Sequence, residues 1–519
     1  MSSTSESSRR SARYGWIAAW PTLILALLPR VVHADWVEAG SDHFVIYSEQ
    51  DAETVRRFAE RLELFHASMA YVFPRQQAKP SPSNRVTIFV VSNPRQVRKL
   101  GKIGGSFVVG FYRGIAGRPV AVVSTVRSGT SREQLTSEEV LYHEYAHHVM
   151  WGVINRSFPR WYVEGFAETF AGVTFQPDSV ALGAPAHHRR AGLIYGPDVS
   201  IRKLLAIDGQ VSSAAQLDVF YGRAWTLFHY LMFDPGRSGQ LARYEQRLAA
   251  GDGALQAAEA AFGDLGQLQR DMDDYVENRR LRGFAIPKSE LPIGPIALRK
   301  LAAGEAAIMP IRMQSTVGID LETDALPLVT EARRVAALYP AEPAVLTALA
   351  EAEFDAGNDD AAIAAADRAL ALDSRQMNAY VQKGWALERK VQTGGLPKEA
   401  WKDVRSHWTR ANRAENDHPI PLQQYYLSFL EQGLAPTPNA VKGLEWALAL
   451  APFDQSLRWT VVQQMVHDQR LADAARMLGP LAYTPHPSEG SQRAQQLLTE
   501  IEAKLAARDD DESETAGAE

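Results

Sequence analysis

The chain has no cysteine in 519 residues. That excludes a disulfide framework, a thiol nucleophile, a cysteine-ligated metal and a cysteine lipid anchor. It has no long apolar run either: the uncharged stretch from Tyr14 to Pro29 is interrupted by Pro21 and is too short for a comfortable membrane span. Strong charge of one sign is also missing. The net charge is −6 with no extended basic run, so nothing predicts a nucleic-acid partner. The remainder, 46% apolar and 22% charged, is ordinary globular composition, long enough for two or three cores.

The first 34 residues read as a secretory signal peptide. Arg9, Arg10 and Arg13 precede the short apolar stretch, and Val32 and Ala34 offer small residues for cleavage after Ala34. The expectation is an exported, periplasmic or secreted protein; an uncleaved segment would instead be an N-terminal membrane anchor. Cleavage would remove four arginines and one glutamate and leave a net charge of −9.

Behind this segment, "DHFVIYS" (42–48), "RVTIFVV" (85–91), "GSFVVGFYRG" (105–114) and "RPVAVVST" (118–125) read as strands, and 52–73 has helical periodicity. Helices are predicted over about 136–152, 160–172, 219–233 and 254–279. This order predicts an α+β domain over 35–290. An all-α domain follows over 291–505. There "PAVLTALAEAEFDAGNDDAAIAAADRALALDS" (343–374) resembles a tetratricopeptide (TPR) repeat, with small Ala350, Ala362 and Ala369 where two helices approach and Gly357 at the turn. Gly384 repeats Ala350 at the TPR period, and "WALALAPFD" (446–454) resembles the end of another unit. Residues 506–519 read as a disordered acidic tail.

The chemistry is concentrated in "VLYHEYAHHVM" (140–150). On a helix His143 and His147 project from one face, with Cβ atoms roughly 6 Å apart, close enough to share one zinc ion. Glu144 lies one residue round, beside the metal, where it can take a proton from water. Chance alone gives roughly 0.02 such matches in a chain with this histidine content. A second helix, "SFPRWYVEGFAETFAG" (157–172), returns the carboxylate of Glu164 to the pair. Two histidines and a carboxylate leave a fourth zinc position open. His148 reads as solvated or packed, Glu168 as either an orienting group or a surface residue, and the basic HHRR at 187–190 as an exposed turn.

"HEYAH" followed by "WYVEGFAE" resembles the gluzincin peptidases. The resemblance implies a thermolysin-like α+β catalytic domain, one Zn2+ per chain on His143, His147 and Glu164, and Glu144 as general base. "VFYGRAWTLFHYL" (219–231) resembles their Y-x-K-G segment and implies Tyr221 as the oxyanion donor, although Arg223 and Ala224 depart from that pattern. The G-x-M-E-N segment of the aminopeptidases is missing, which favours an endopeptidase. The expected function is therefore an exported zinc metallopeptidase acting on a peptide or protein substrate, with a protein partner on the TPR-like helices. The alternative is a catalytically inactive peptidase-like TPR scaffold; hydrolysis of a non-peptide amide is a third reading.

Overall fold

The structure, a computed structural model, describes residues 35–74, 79–104, 108–125, 135–153, 158–206, 213–277, 281–484 and 488–516. The signal-like segment 1–34, with Ala34, lies outside them. Among the described residues no helix is long and apolar enough to cross a membrane.

The strands are β1 (Val37–Gly40), β2 (Phe44–Ser48), β3 (Val86–Val91), β4 (Gly110–Arg113), β5 (Val120–Ser124), β6 (Thr174–Phe175), β7 (Ser179–Leu182), β8 (Phe284–Pro287) and β9 (Ala297–Lys300). Six form one sheet in the order β4-β5-β3-β2-β1-β9, and β6-β7-β8 form a small second sheet. Within the larger sheet β2, β3 and β5 are parallel, while β1, β4 and β9 run antiparallel to their neighbours. Sequence periodicity found β2 to β5 but not β1, a four-residue half-buried strand, or β9, which is exposed throughout.

The helices of this half are α1 (Ala52–Val72), α2 (Pro94–Gly101), α3 (Ser137–Val153), α4 (Arg160–Ala171), α5 (Arg190–Tyr195), α6 (Ile201–Leu205), α7 (Ala214–Phe233), α8 (Gln240–Ala249), α9 (Ala254–Phe262) and α10 (Leu265–Glu277). Asn93 opens α2: its side chain accepts from the Gln96 N–H, with Pro94 in the first turn. The single helix expected over 254–279 is two, because Gly263 takes φ +83° between α9 and α10. The period of two divides the sheet between two cores. Phe44, Ile46, Val86 and Ile88 join Leu62, Phe65, Tyr145 and Phe166 on the side of α1, α3 and α4. Val45, Tyr47, Phe89 and Val122 face the other way, onto α2.

The second half is helical: α11 (Ala303–Val317), α12 (Ala325–Leu338), α13 (Pro343–Asp355), α14 (Asp359–Leu372), α15 (Met377–Gln392), α16 (Trp401–Ala414), α17 (Pro419–Glu431), α18 (Pro438–Leu450), α19 (Gln455–His467), α20 (Leu471–Ala482) and α21 (Glu489–Ala516). These are consecutive antiparallel pairs, and the TPR-like reading of this region stands. Ala350, Ala362 and Ala369 are fully buried between helices, and Gly357 takes φ +79° at its turn. Helix α21 continues through residues 506–516, where a disordered tail was expected; alanine and glutamate there are good helix formers.

The expected fold class needs one correction. The chain is mostly helical with a small sheet, and a thermolysin-like α+β domain is not shown. Nor do the two halves part at residue 290. Strand β9 pairs with β1, and Met309 and Met313 of α11 pack on the outer face of the sheet. The repeat helices then curl round that face. Residues of α13, α15 and α17 enclose, against β1, β2, β3 and β9, a cavity of about 510 Å³ lined by Arg118, Arg312, Glu351 and Trp385 among others.

Candidate metal centre

Helix α3 begins with a reciprocal cap. The Glu139 N–H donates to the Thr136 hydroxyl, and the Thr136 N–H donates to the Glu139 carboxylate at 2.7 Å. The following turns carry His143, Glu144 and His147 beneath a cleft. Helix α4 is buried along its whole length, so Glu164 lies in the interior with no exposure. Gly165 lets α4 lie close on α7: a Cβ there would sit on the Ala224 carbonyl oxygen and 2.7 Å from Phe228 Cβ.

This packing brings the two histidines and Glu164 together, with one ligand atom of each within 4.8 Å of the others. His143 Nε2 and His147 Nε2 are 3.1 Å apart, and each lies 3.4–3.5 Å from Glu164 Oε2. Tetrahedral ligands at zinc–nitrogen distances of about 2.1 Å stand roughly 3.4 Å from one another, so the three atoms fit one zinc ion. Both carboxylate oxygens of Glu164 are buried without a hydrogen-bond partner. Positive charge on the two imidazoles, or a metal ion between them, offsets the cost of burying this carboxylate. Burial alone would pull His143 down, but Glu164, Glu168 and Glu144 outweigh it and lift its pKa to about 9. For Glu164 the two histidines outweigh burial and hold the carboxyl well below its usual range.

Glu144 is partly exposed and lines the cleft beside His147. Tyr221, on α7, is buried with its ring 6.2 Å from that of His143. Burial, then the charge of Glu164, pushes its phenol well above the usual tyrosine range. It stands on the inner side of the ligand set, not among the residues lining the cleft.

Sequence reasoning underrated the groups behind His143. Glu168, one turn after Glu164, is buried with Oε1 3.4 Å from His143 Nδ1. The HHRR segment is not a free turn. His188 Nε2 lies 3.0 Å from Glu168 Oε2, and Arg189 donates to Glu168 Oε1 at 2.5 Å and to Asp218 at 2.8 Å. The four-residue spacing of Glu164 and Glu168 was the available signal; the return of 188–189 depends on tertiary packing. His148 is packed, stacked 4.3 Å from Phe453 and with Nδ1 2.5 Å from Tyr112 Oη, and burial lowers its pKa to about 3.

No family model matches the chain, and no curated protein matches it. Among solved structures it is similar to MamA, at 16% identity over 35% of this chain and 93% of that one, with a TM-score of 0.25. It is also similar to yeast Tom70, at 12% identity over 88% of this chain and 76% of that one, with a TM-score of 0.26. Superpositions this loose say nothing about activity.

The gluzincin resemblance is corrected here. No family model, of a peptidase or of any other kind, matches the chain. The motif specifies two short helices and a few side chains, and a helix pair of that size does not determine the domain built round it. What the structure does show of that expectation is the run of paired helices from α11 to α21.

Proposed function

We propose that this protein is a helical-repeat binding protein whose N-terminal half carries a single zinc centre on His143, His147 and Glu164, competent to hydrolyse a peptide bond. The observation behind the centre is the convergence of His143, His147 and the fully buried Glu164 carboxylate, one ligand atom of each within 4.8 Å of the others. Zinc held there would supply a Lewis acid at the floor of the cleft and acidify water. Glu144 takes the proton of the attacking water and returns it to the leaving amine. Glu168, steadied by His188 and Arg189, keeps the His143 ring turned toward the centre. Tyr221 stays protonated beside Glu164, behind the ligand set, where its phenol braces the carboxylate; the oxyanion role implied by the Y-x-K-G resemblance does not fit that position.

The repeat architecture supports the binding half of this reading, and the hydrolytic half rests on the site alone. A scaffold without turnover is the second reading, favoured by the extent of the helical repeats. The decisive experiment is zinc per chain in protein purified from Asp35 onward without added metal, beside Glu164→Ala and Glu144→Gln. One zinc in the wild type and in Glu144→Gln, lost in Glu164→Ala, is expected. Peptide cleavage by the wild type but not by Glu144→Gln separates the enzyme from the scaffold; no zinc in the wild type refutes both forms of the centre. Export belongs to the same proposal, and N-terminal sequencing of the exported protein should begin at Asp35.

A further inference from the structure

The cleft above Glu144 and His147, about 560 Å³, has walls from both halves of the chain. One side is α3 and the β4 end: Tyr112, Ile115 and Trp151. The other is the α18–α19 turn and the start of α19, with Phe453, Gln455 and Ser456, joined by Thr484 after α20. This junction is tightly made. Asp454 accepts the Ala116 N–H at 2.7 Å, and the Asn84 amide donates to the Leu450 carbonyl at 2.7 Å. Phe453 stacks on His148, the neighbour of His147, and a Cβ on Gly114 would lie 3.2 Å from its ring. Trp151 packs into the apolar core of the terminal repeats.

The charges on this wall are already engaged. Asp454 also caps α19 through the Leu457 N–H at 2.9 Å, and Arg113 donates to the carbonyls of Val317 and Gly101. Beyond Glu144, the two histidines and the engaged Arg113 and Asp454, what faces the cavity is aromatic or neutral hydrogen-bonding surface. We infer that the terminal repeats form a specificity wall of the proposed zinc site, and that the ligand is a polypeptide placing a bulky uncharged side chain between Trp151 and Phe453. Gln455, Ser456 and Thr484 supply donors and acceptors for its backbone. This rests on the zinc reading above.

The test uses two dipeptide hydroxamates, identical except for a benzyl or a methyl side chain beside the hydroxamate, titrated calorimetrically into the zinc-loaded chain. The benzyl probe should bind at least tenfold more tightly. Phe453→Ala should abolish that preference. Because Phe453→Ala also loosens the junction, Ser456→Trp serves as a second variant: Ser456 is exposed at the cavity and makes no core contact. It should weaken the benzyl probe at least tenfold and leave zinc stoichiometry unchanged. Equal binding of both probes, untouched by Ser456→Trp, overturns the specificity wall while the zinc centre stands. A chain that holds no zinc and neither probe overturns both.

Discussion

Gly165→Ala measures how tightly the proposed ligand set depends on helix packing. The residue follows Glu164 on α4, where that helix crosses α7. The added methyl would overlap the Ala224 carbonyl oxygen and approach Phe228 Cβ to 2.7 Å. Carbonyl oxygen is backbone and cannot rotate away, so the helices must part by about 1 Å to restore ordinary contact. Overpacking of this kind costs about 1–3 kcal/mol, and it is set against a gain of about 1 kcal/mol in helix propensity. Opening the rest of the α4–α7 interface adds lost packing, so the net expectation is a destabilisation of about 1–3 kcal/mol.

The displacement also carries Glu164 away from His143 and His147, so zinc affinity should fall at least tenfold. Urea unfolding of the metal-free protein and competition with a chromophoric chelator measure the two effects. Gly443→Ala is the control. It also lies within a helix, but its nearest neighbour, a Leu422 methyl, would be 3.8 Å from the new Cβ. It should stabilise by about 0.5–1 kcal/mol. A Gly165→Ala protein as stable as wild type, with unchanged zinc affinity, would refute the close-packing account of the site.

Three further outcomes follow from buried groups. Glu168→Gln leaves Arg189 beside a neutral amide and weakens the support behind His143, so zinc affinity should drop roughly 10- to 100-fold, read by chelator competition. Gly384→Ala would drive a methyl into the Trp408 ring at 2.7 Å or closer and should cost about 1–3 kcal/mol in urea unfolding. Glu388 is raised to about 8 by burial, its bond from Trp408 opposing and Glu431 adding to the rise. A raised carboxyl means the folded state keeps a proton that the unfolded chain has lost. Its contribution is therefore full below about pH 4.5 and is lost as pH rises toward 8, on the order of 5 kcal/mol across that window. Glu388→Gln should remove this part of the slope, so that it gains on the wild type between pH 5 and 8.

Much of this was legible where one element carries the signal. The apolar alternation of β2 to β5, the small-residue spacing of α13 and α14, and the four-residue step from His143 to His147 all lie within single elements. Glu164 could be placed because two helices and a short connection leave few arrangements. Nothing local marked Gly165 as the point where α7 crosses α4. The limits came where distant segments meet. His188 and Arg189 looked like a basic turn because the carboxylate that neutralises them belongs to another helix. The surrounding fold was misjudged for the same reason: local helix geometry carries the motif, whereas sheet order and the placement of the repeats depend on contacts hundreds of residues apart.

Those long-range contacts also bear on binding by the repeats. In an open repeat array the concave face is the usual recognition surface. Here α13, α15 and α17 turn that face toward the sheet. Glu351 on α13 faces Arg118 at 3.5 Å, and Glu415 after α16 accepts from the Ser83 N–H and hydroxyl at 3.0 and 2.9 Å. A partner must use the cavity that remains there or the outer faces of the helices. The same array carries Phe453, in the α18–α19 turn, stacked on the residue that follows His147. Phe453 stacks on His148 of α3, so the later repeats and the cleft share one packed junction. The two halves thus form one device, in which the helices that would recognise a protein also form a wall of the site that would act on it.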